Sequence, residues 1–183
     1  MSRAKPEAER IEGDAYFTPE RLAYDLVGLL PIMPGAVAWE PHAGGGAFVR
    51  ALASRGVRVI ASDIAGGTWP EAESSAQLNF LWPHPDTLPA PSWIVGNPPF
   101  RDFESHVDRA LDLAPNFAFL LRLAVMESLG RVAFWRRWPL RKVWVLAERP
   151  DFTGEGGDSA AYGFFWWQRG YRGSAEIVPG WLP

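Results

Sequence analysis

Apolar and polar residues follow two periods along this chain, one typical of helices and the other of buried strands. Apolar residues spaced three and four apart predict helices near residues 19–30, 46–55, 102–114 and 125–137. Short apolar runs rich in β-branched and aromatic residues predict strands near residues 36–40, 57–62, 92–96, 116–121, 142–147 and 162–167. Such alternation favours an α/β fold, a doubly wound and mostly parallel sheet with helices on both faces.

The first predicted helix has a start signal and a stop signal. Thr18 is a good N-cap, Pro19 suits the first helical position, and Pro31 ends the apolar pattern. The stretch from Gly66 to Pro91 is rich in glycine and proline, which predicts a loop that carries one short strand.

Length and composition indicate one compact enzyme-sized domain spanning residues 1–183. The chain has 183 residues and 48% hydrophobic content, enough to bury a core as a single domain. Residues 1–13 are polar and charged, so we expect a flexible tail there and no secretion signal. No apolar run approaches the length of a membrane span, so the expected location is the cytoplasm, with no membrane partner.

The sequence predicts no metal site. Because it contains no cysteine, neither a disulfide framework nor a thiolate ligand is available. The three histidines, His42, His84 and His106, lie far apart in the sequence and show no ligand spacing.

Positive charge is concentrated late in the chain, although the formal net charge is −3. Between Arg131 and Arg149 there are six basic residues against one acid, with tryptophans interleaved. Basic groups neutralise phosphates and aromatic rings stack on bases, which favours a nucleic-acid face. The alternative is that the tryptophans belong to the core and the arginines only solvate a helix end. The residues of this basic tract that we single out as nucleic-acid ligands are Arg136, Arg137, Arg141 and Lys142.

A stiff corner, Asn97-Pro98-Pro99-Phe100, follows the strand predicted at residues 92–96 and precedes a helix. Two prolines fix φ and restrict the residue before each of them. The Asn97 side-chain carbonyl and a main-chain carbonyl could accept hydrogen bonds from a planar amino group, and Phe100 offers a ring for a flat base. The alternative is a proline-rich loop that only ends a buried strand.

A glycine turn follows the strand predicted at residues 36–40. Glu40 stands at the end of that strand, and Gly44 and Gly46 allow a ligand to approach the backbone closely. A Rossmann dehydrogenase would have a third Gly or Ala three residues after Gly46, where this chain has Val49. The acidic Glu40 is also unfavourable beside a pyrophosphate and favourable beside an ammonium group.

An acidic residue also ends the second predicted strand. Asp63 comes 19 residues after Gly44, and a carboxylate at this strand tip can accept both ribose hydroxyls of an adenosine cofactor. An ordinary solvated loop aspartate is the alternative.

These motifs, in this order, resemble the S-adenosylmethionine-dependent amino-methyltransferases, and in particular the small N6-adenine-type DNA methyltransferases of phages and prophage-like elements. Asn97 to Phe100 resembles their Asp/Asn-Pro-Pro-Tyr/Phe motif, and Tyr16-Phe17-Thr18 resembles a cluster that contacts the methionine end of the cofactor. The resemblance covers about half of the chain, from Tyr16 to Phe100. It implies a class I, Rossmann-like methyltransferase fold with S-adenosylmethionine as cofactor. The implied catalytic residues are Asn97, Pro98, Pro99 and Phe100, and the implied cofactor residues are Tyr16, Phe17, Thr18, Glu40, Pro41, Gly44, Gly46, Asp63 and Asn79.

Two positions depart from the pattern or match it loosely. Many relatives carry Asp where this chain has Asn79, so Asn79 either accepts from the adenine amino group or only caps a turn. The segment Arg149-Pro150-Asp151-Phe152-Thr153-Gly154 resembles the Arg-Pro-x-Phe stretch that follows the sixth strand in such small proteins.

The resemblance implies methyl transfer to an exocyclic amino nitrogen, with adenine N6 in DNA as the leading acceptor. Many DNA enzymes carry Asp where this chain has Asn97, and Asn is more frequent in enzymes that act on RNA guanine N2 or on protein glutamine amides. RNA and protein acceptors therefore stay open, as does a cofactor-binding accessory protein without turnover. We expect no separate target-recognition domain within these 183 residues, so sequence specificity should be low or supplied by a partner.

Overall fold

A sheet with helices on both faces organises the part of the chain that this computed structural model describes, residues 17–83, 89–152 and 156–182. Tyr16, the predicted tail at residues 1–13 and His84 lie outside the described residues. The helices are α1 (Glu20–Gly28), α2 (Ala47–Ala53), α3 (Phe103–Leu113) and α4 (Val132–Arg137). The strands are β1 (Val37–Glu40), β2 (Arg58–Asp63), β3 (Ser74–Gln77), β4 (Trp93–Gly96), β5 (Asn116–Arg122), β6 (Lys142–Leu146), β7 (Tyr162–Gln168) and β8 (Glu176–Trp181).

The strand order is β3-β2-β1-β4-β5-β7-β6-β8. β7 runs antiparallel to both β5 and β6, and the other neighbouring pairs are parallel. The carboxyl ends of the parallel strands therefore meet at one edge of the sheet, which we call the carboxyl edge. The strand order reverses between β1 and β4, and open α/β sheets bind ligands at such a switch point.

Two apolar cores cover the two faces of the sheet. On one face, α1 and α2 contribute Leu26 and Leu52 to a core that extends to Trp144 of β6. On the other face, α3 and the sheet bury an aromatic cluster that includes Phe103 and Trp167. Because both faces are covered, the central strands β4 and β5 are apolar almost throughout, as parallel strands buried on both sides are.

The predicted fold class is confirmed, and most predicted elements agree with the structure within a few residues. The helix predicted at residues 125–137 is wrong in its first half, where two 3-10 turns, Leu123–Met126 and Leu129–Arg131, precede α4. Ser128 has a φ of 113°, which no α-helix accepts, and its side chain instead accepts a hydrogen bond from the Gly130 amide.

The prediction of Thr18 as N-cap is also wrong. The N-cap is Pro19, whose ψ of 136° is extended and whose carbonyl accepts from the Ala23 amide at 3.1 Å. Pro19 therefore stands one position earlier than predicted, which leaves Thr18 free of a capping role and directed to the cavity described below.

No helix within the described ranges combines the length and the apolar character that a membrane span needs.

Candidate active site

The glycine turn after β1 has the backbone that only glycine adopts easily. Gly44 and Gly46 have φ values of 44° and 80°, in the left-handed region. A Cβ on Gly46 would lie 2.6 Å from the Trp69 ring. The turn is therefore both conformationally and sterically reserved for glycine, and α2 begins directly after it.

Trp69 supports this turn, although no sequence motif pointed to it. Its indole Nε1 donates to the Gly44 carbonyl at 3.1 Å, and the side chain is buried in the loop between β2 and β3. Trp69 and Gly44 are 25 positions apart, so only the fold brings them together.

Asp63 at the tip of β2 holds the same turn from the other side. Its Oδ2 accepts from the Gly44 amide at 2.9 Å, and its Oδ1 accepts from the Ala65 amide at 2.9 Å. A carboxylate has about four acceptor positions, so two hydrogen bonds leave room for ribose hydroxyls. The structure thus gives Asp63 a supporting role that the sequence did not predict, and its predicted contact with the cofactor stays a prediction.

Glu40 ends β1 as a buried acid, with only 1% of its surface exposed. Its Oε1 accepts from the His42 amide at 2.9 Å, across the buried Pro41. Burial raises the pKa of the Glu40 carboxyl well above its usual value; the hydrogen bond from His42 opposes this in part, and the charge of Asp63 adds to the rise. A buried carboxylate of this kind is stabilised when a cation comes to lie beside it.

Gly96, the last residue of β4, makes room for that carboxyl group. A Cβ at this position would overlap the Glu40 carboxylate. The sequence placed Gly96 in a strand but gave no sign that it lies against Glu40, because the two belong to strands 56 positions apart whose pairing the structure alone reveals.

A cavity of about 260 Å³ at the carboxyl edge brings the predicted motifs together. Phe17 and Thr18 line it on one side, the glycine turn lines its floor, and Asn97 lines it on the side of β4. The Phe17 ring lies against Gly44, where a Cβ would be 2.9 Å from Cδ1. The full lining is Phe17, Thr18, Glu20, His42, Ala43, Gly44, Gly45, Ala47, Phe48, Arg50 and Asn97.

The corner from Asn97 to Phe100 follows β4 directly, as predicted. Pro98 is buried, whereas Pro99 and Phe100 are half-buried. The Phe100 ring meets Tyr162 edge-on, with ring centroids 5.7 Å apart, and the Arg122 guanidinium lies over it at 4.8 Å. The predicted catalytic residues therefore stand at the carboxyl edge, beside the cavity.

Two histidines that are 64 positions apart in sequence are neighbours in space. The rings of His42 and His106 have centroids 4.8 Å apart, and both contact Phe80. Burial lowers the pKa of both imidazoles, and His106 lowers the pKa of His42 further. The described residues hold no group of three or more His, Asp or Glu side chains arranged as metal ligands.

Asn79 caps a turn in the structure. Its Oδ1 accepts from the Leu81 amide at 3.0 Å, and its carbonyl accepts from the Trp82 amide at 3.0 Å. This geometry agrees with the turn-capping alternative, while the contact with adenine stays a prediction.

Two residues of the basic tract, Arg141 and Lys142, lie across the sheet from the strand that precedes Asn97. β6 runs parallel to β5 because both oppose β7, and the registers place Lys142, at the amino end of β6, in the same row as Val95 of β4. Lys142 also pairs with Glu176 at 2.6 Å. Arg136 and Arg137 are exposed at the end of α4. β5 and β7 lie between β4 and β6, so Lys142 lies roughly 14 Å across the sheet from the strand that ends at the catalytic corner, at about 4.8 Å per neighbouring strand.

Several solved structures with the same architecture are named as methyltransferases. The modification subunit of a proposed type I restriction enzyme from Vibrio vulnificus superposes with a TM-score of 0.67 at 13% identity, over 94% of this chain and 49% of that one. A proposed RNA methyltransferase from Pyrococcus horikoshii superposes with a TM-score of 0.66 at 11% identity, over 90% and 91% of the two chains. A SAM-dependent O-methyltransferase from Thermotoga maritima gives 0.59 at 13% identity, over 87% and 69%.

This chain has the class I, Rossmann-like methyltransferase fold. It corresponds to about half of the Vibrio subunit. No protein-family model matches the sequence, and no curated protein matches it significantly. Because these structures include a proposed RNA methyltransferase, an O-methyltransferase and the modification subunit of a proposed restriction enzyme, the fold leaves the acceptor to be argued from the site.

Proposed function

We propose that this protein is an S-adenosylmethionine-dependent N-methyltransferase that methylates an exocyclic amino nitrogen, with adenine N6 in DNA as the leading acceptor. One observation carries the proposal: a single cavity is lined by Phe17 and Thr18, by the glycine turn and by Asn97. These groups come from three separate stretches of sequence, and each has its own place in the amino-methyltransferase pattern. The fold, which is that of S-adenosylmethionine-dependent methyltransferases, supports the same cofactor.

The residues at the cavity fit that cofactor. The turn at Gly44 presents backbone without a side chain, and the Phe17 ring covers it. The buried Glu40 lies at the base of the turn and would favour the cofactor's ammonium group. Asp63 at the tip of β2 would receive the ribose.

Asn97 would act on the acceptor nitrogen. The lone pair of an exocyclic amine is delocalised into the ring, which makes the amine a poor nucleophile. Hydrogen bonds from its two N–H groups to the Asn97 carbonyl and to the main-chain carbonyl of Pro98 would favour a more tetrahedral nitrogen. Bound S-adenosylmethionine supplies an electrophilic methyl group on a sulfonium.

The rest of the corner positions the acceptor. Pro98 and Pro99 stiffen the backbone so that the acceptor groups stay in one place. Phe100 gives a surface on which a flat base can stack, and a base in a duplex would have to be flipped out to reach it.

The second candidate is methylation of RNA guanine N2 or of a protein glutamine amide. It is favoured by Asn97, because asparagine at this position is more frequent in enzymes of those classes. A cofactor-binding protein without turnover is the third candidate, and the complete Asn97 to Phe100 corner argues against it.

Calorimetry and label transfer together test the proposal. We expect S-adenosylmethionine to bind and NAD not to bind. With methyl-labelled cofactor, we expect label in DNA in preference to RNA or to a glutamine-containing protein. If the purified protein binds no S-adenosylmethionine, or binds NAD in its place, the cofactor assignment is wrong. If label enters RNA or a protein amide instead, the second candidate replaces the first.

A further inference from the structure

Three polar side chains meet at the carboxyl edge outside the predicted motifs. Arg122 ends β5, Tyr162 begins β7, and Asp158 lies in the loop that leads into β7. They are up to 40 positions apart in sequence, so no local sequence motif predicts that they meet.

These three side chains form a closed network. Arg122 Nε donates to the Tyr162 hydroxyl at 3.1 Å, and Arg122 Nη2 donates to Asp158 Oδ2 at 3.2 Å. The Tyr162 hydroxyl donates to the same Oδ2 at 2.6 Å. The remaining Oδ1 accepts from the Ala160 amide at 3.1 Å, and the Asp158 amide donates to the Pro150 carbonyl at 3.0 Å. The network therefore joins the end of β5 and the start of β7 to the loop between β6 and β7.

The pKa shifts of Arg122 and Asp158 both favour their charged forms. Burial alone would disfavour the charge on Arg122, but the Tyr162 hydroxyl and the Asp158 carboxylate raise its pKa above the usual value. Burial likewise works against the Asp158 carboxylate, yet the hydrogen bonds from Tyr162 and Ala160 and the charge of Arg122 lower its pKa. A charged, hydrogen-bonded guanidinium holds a fixed plane, which a lysine ammonium cannot do.

The Arg122 guanidinium lies over the Phe100 ring of the catalytic corner. Arg122 Cζ is 4.8 Å from the centre of the Phe100 ring, and Tyr162 meets the same ring at 5.7 Å. Phe152 in turn packs against Tyr162 at 5.3 Å. The orientation of Phe100 is therefore determined by the network as well as by the two prolines before it.

We propose that Arg122, Asp158 and Tyr162 are positioning residues that hold the Phe100 ring for a flat heteroaromatic acceptor, an inference that rests on the proposed function. A ring held in one orientation stabilises a stacked base and gives little to a flexible amide side chain. The network acts through Phe100, so it should govern how the acceptor binds and leave cofactor affinity unchanged.

The test compares Arg122→Lys, which keeps the charge and loses the plane, with Tyr162→Phe, which loses only the hydroxyl. The probe is an adenine-rich single-stranded DNA oligonucleotide. For Arg122→Lys we expect KM for the oligonucleotide to rise about tenfold or more and the Kd of S-adenosylmethionine to stay within about twofold. Tyr162→Phe should show a smaller rise. The matched control is Arg58→Lys, since Arg58 makes a comparable two-bond pair with Glu73 at the β2–β3 side of the sheet.

A second readout needs no activity. Hydrogen exchange of the Phe100 and Arg101 amides should be faster in Arg122→Lys than in the wild type, and unchanged in Arg58→Lys. Unchanged exchange, or a wild-type KM in Arg122→Lys, overturns the proposal. If the wild-type protein itself transfers no methyl group, the proposed function fails and the role toward the acceptor fails with it. The exchange result then still decides whether the network holds Phe100.

Discussion

Glu40 illustrates how a single residue can serve the site at the expense of stability. Its folded-state pKa is raised by burial, so the folded protein favours the protonated form. The stability that the protonated Glu40 carboxyl group contributes is fully present below the unfolded-state pKa of about 4.3. It is lost as pH rises through the folded-state pKa.

We therefore predict that Glu40→Gln raises the free energy of unfolding relative to the wild type, increasingly so as pH rises from about 4.3. The same change should weaken S-adenosylmethionine binding, because the wild-type carboxyl group can ionise beside the bound ammonium group and the amide cannot. Denaturant titrations between acid and neutral pH, with calorimetry, measure both effects. Glu73→Gln is the control, since Arg58 lowers the pKa of exposed Glu73 and the opposite pH dependence follows. A pH-independent difference for Glu40→Gln would show that folding does not raise the pKa of this carboxyl group.

Asp63 combines support of the glycine turn with the predicted ribose contact. We expect Asp63→Ala to weaken S-adenosylmethionine binding by about 1–3 kcal/mol, as loss of a charged acceptor does. Asp112→Ala on exposed α3 surface should have no effect.

A 2′-deoxy analogue of the cofactor separates the two roles of Asp63. If the carboxylate binds the ribose, the effects of the substitution and of the analogue will be less than additive. Full additivity would mean that Asp63 acts only by holding the Gly44 and Ala65 amides.

At the scale of elements, the ends of β1 and β4 fit together only because β4 ends in glycine. We predict that Gly96→Ala destabilises the protein by about 1–3 kcal/mol, as overpacking in a core does. Combining it with Glu40→Ala should recover part of that loss, because the clashing carboxylate is gone. Gly28→Ala is the control, as nothing lies within 4 Å of a Cβ there. Thermal unfolding of the variants checks this, and equal losses with and without Glu40 would contradict it.

The sequence predicted the elements that are periodic and buried. β4 and β5 were found because they are covered on both faces and hence apolar throughout. β8 was not predicted because it is largely exposed, pairs only with β6 and contains Pro179, so its residues do not alternate between apolar and polar. The interruption of the helix before α4 was not predicted, because Ser128 and Gly130 are both compatible with a helix in sequence. Only the tertiary structure gives Ser128 its positive φ.

The site residues, like the elements, were predicted where a local sequence pattern marks them and missed elsewhere. Asn97, Gly44 and Asp63 were predicted because each stands beside a strand end that a local pattern reveals. Trp69 and the network of Arg122, Asp158 and Tyr162 were missed because they act through contacts between distant segments. Local spacing carries no information about such contacts.

At the scale of the whole molecule, Lys142 of the basic tract lies three strands across the sheet from the strand that ends at the catalytic corner. If Arg136 and Arg137 contact phosphates, changing both to Ala should flatten the salt dependence of nucleic-acid binding by about 0.7–0.9 per contact. Methylation should fall through substrate affinity more than through turnover, because these side chains touch no reacting atom.

A second double variant, Arg101→Ala with Arg149→Ala, serves as the comparison. Both arginines are exposed, and Arg101 directly follows the catalytic corner. The salt dependence of nucleic-acid binding would contradict this role of Arg136 and Arg137 if it were unchanged in their double variant but reduced in the variant of Arg101 and Arg149. In that case the nucleic acid would bind at the carboxyl edge alone.

The identity of the methylated atom is the most direct measurement of what this site does. Nucleosides from DNA of cells that express the protein, in a strain without methylation of its own, can be analysed by mass spectrometry. We predict N6-methyladenine with the wild type and on the order of 10²–10³ less with Asn97→Ala, comparable to the loss of one oxyanion-type contact. Cofactor affinity should be nearly unchanged in that variant. DNA without methylated adenine, or equal methylation by Asn97→Ala, would contradict the assignment of Asn97 to Phe100 as the catalytic corner of an adenine methyltransferase.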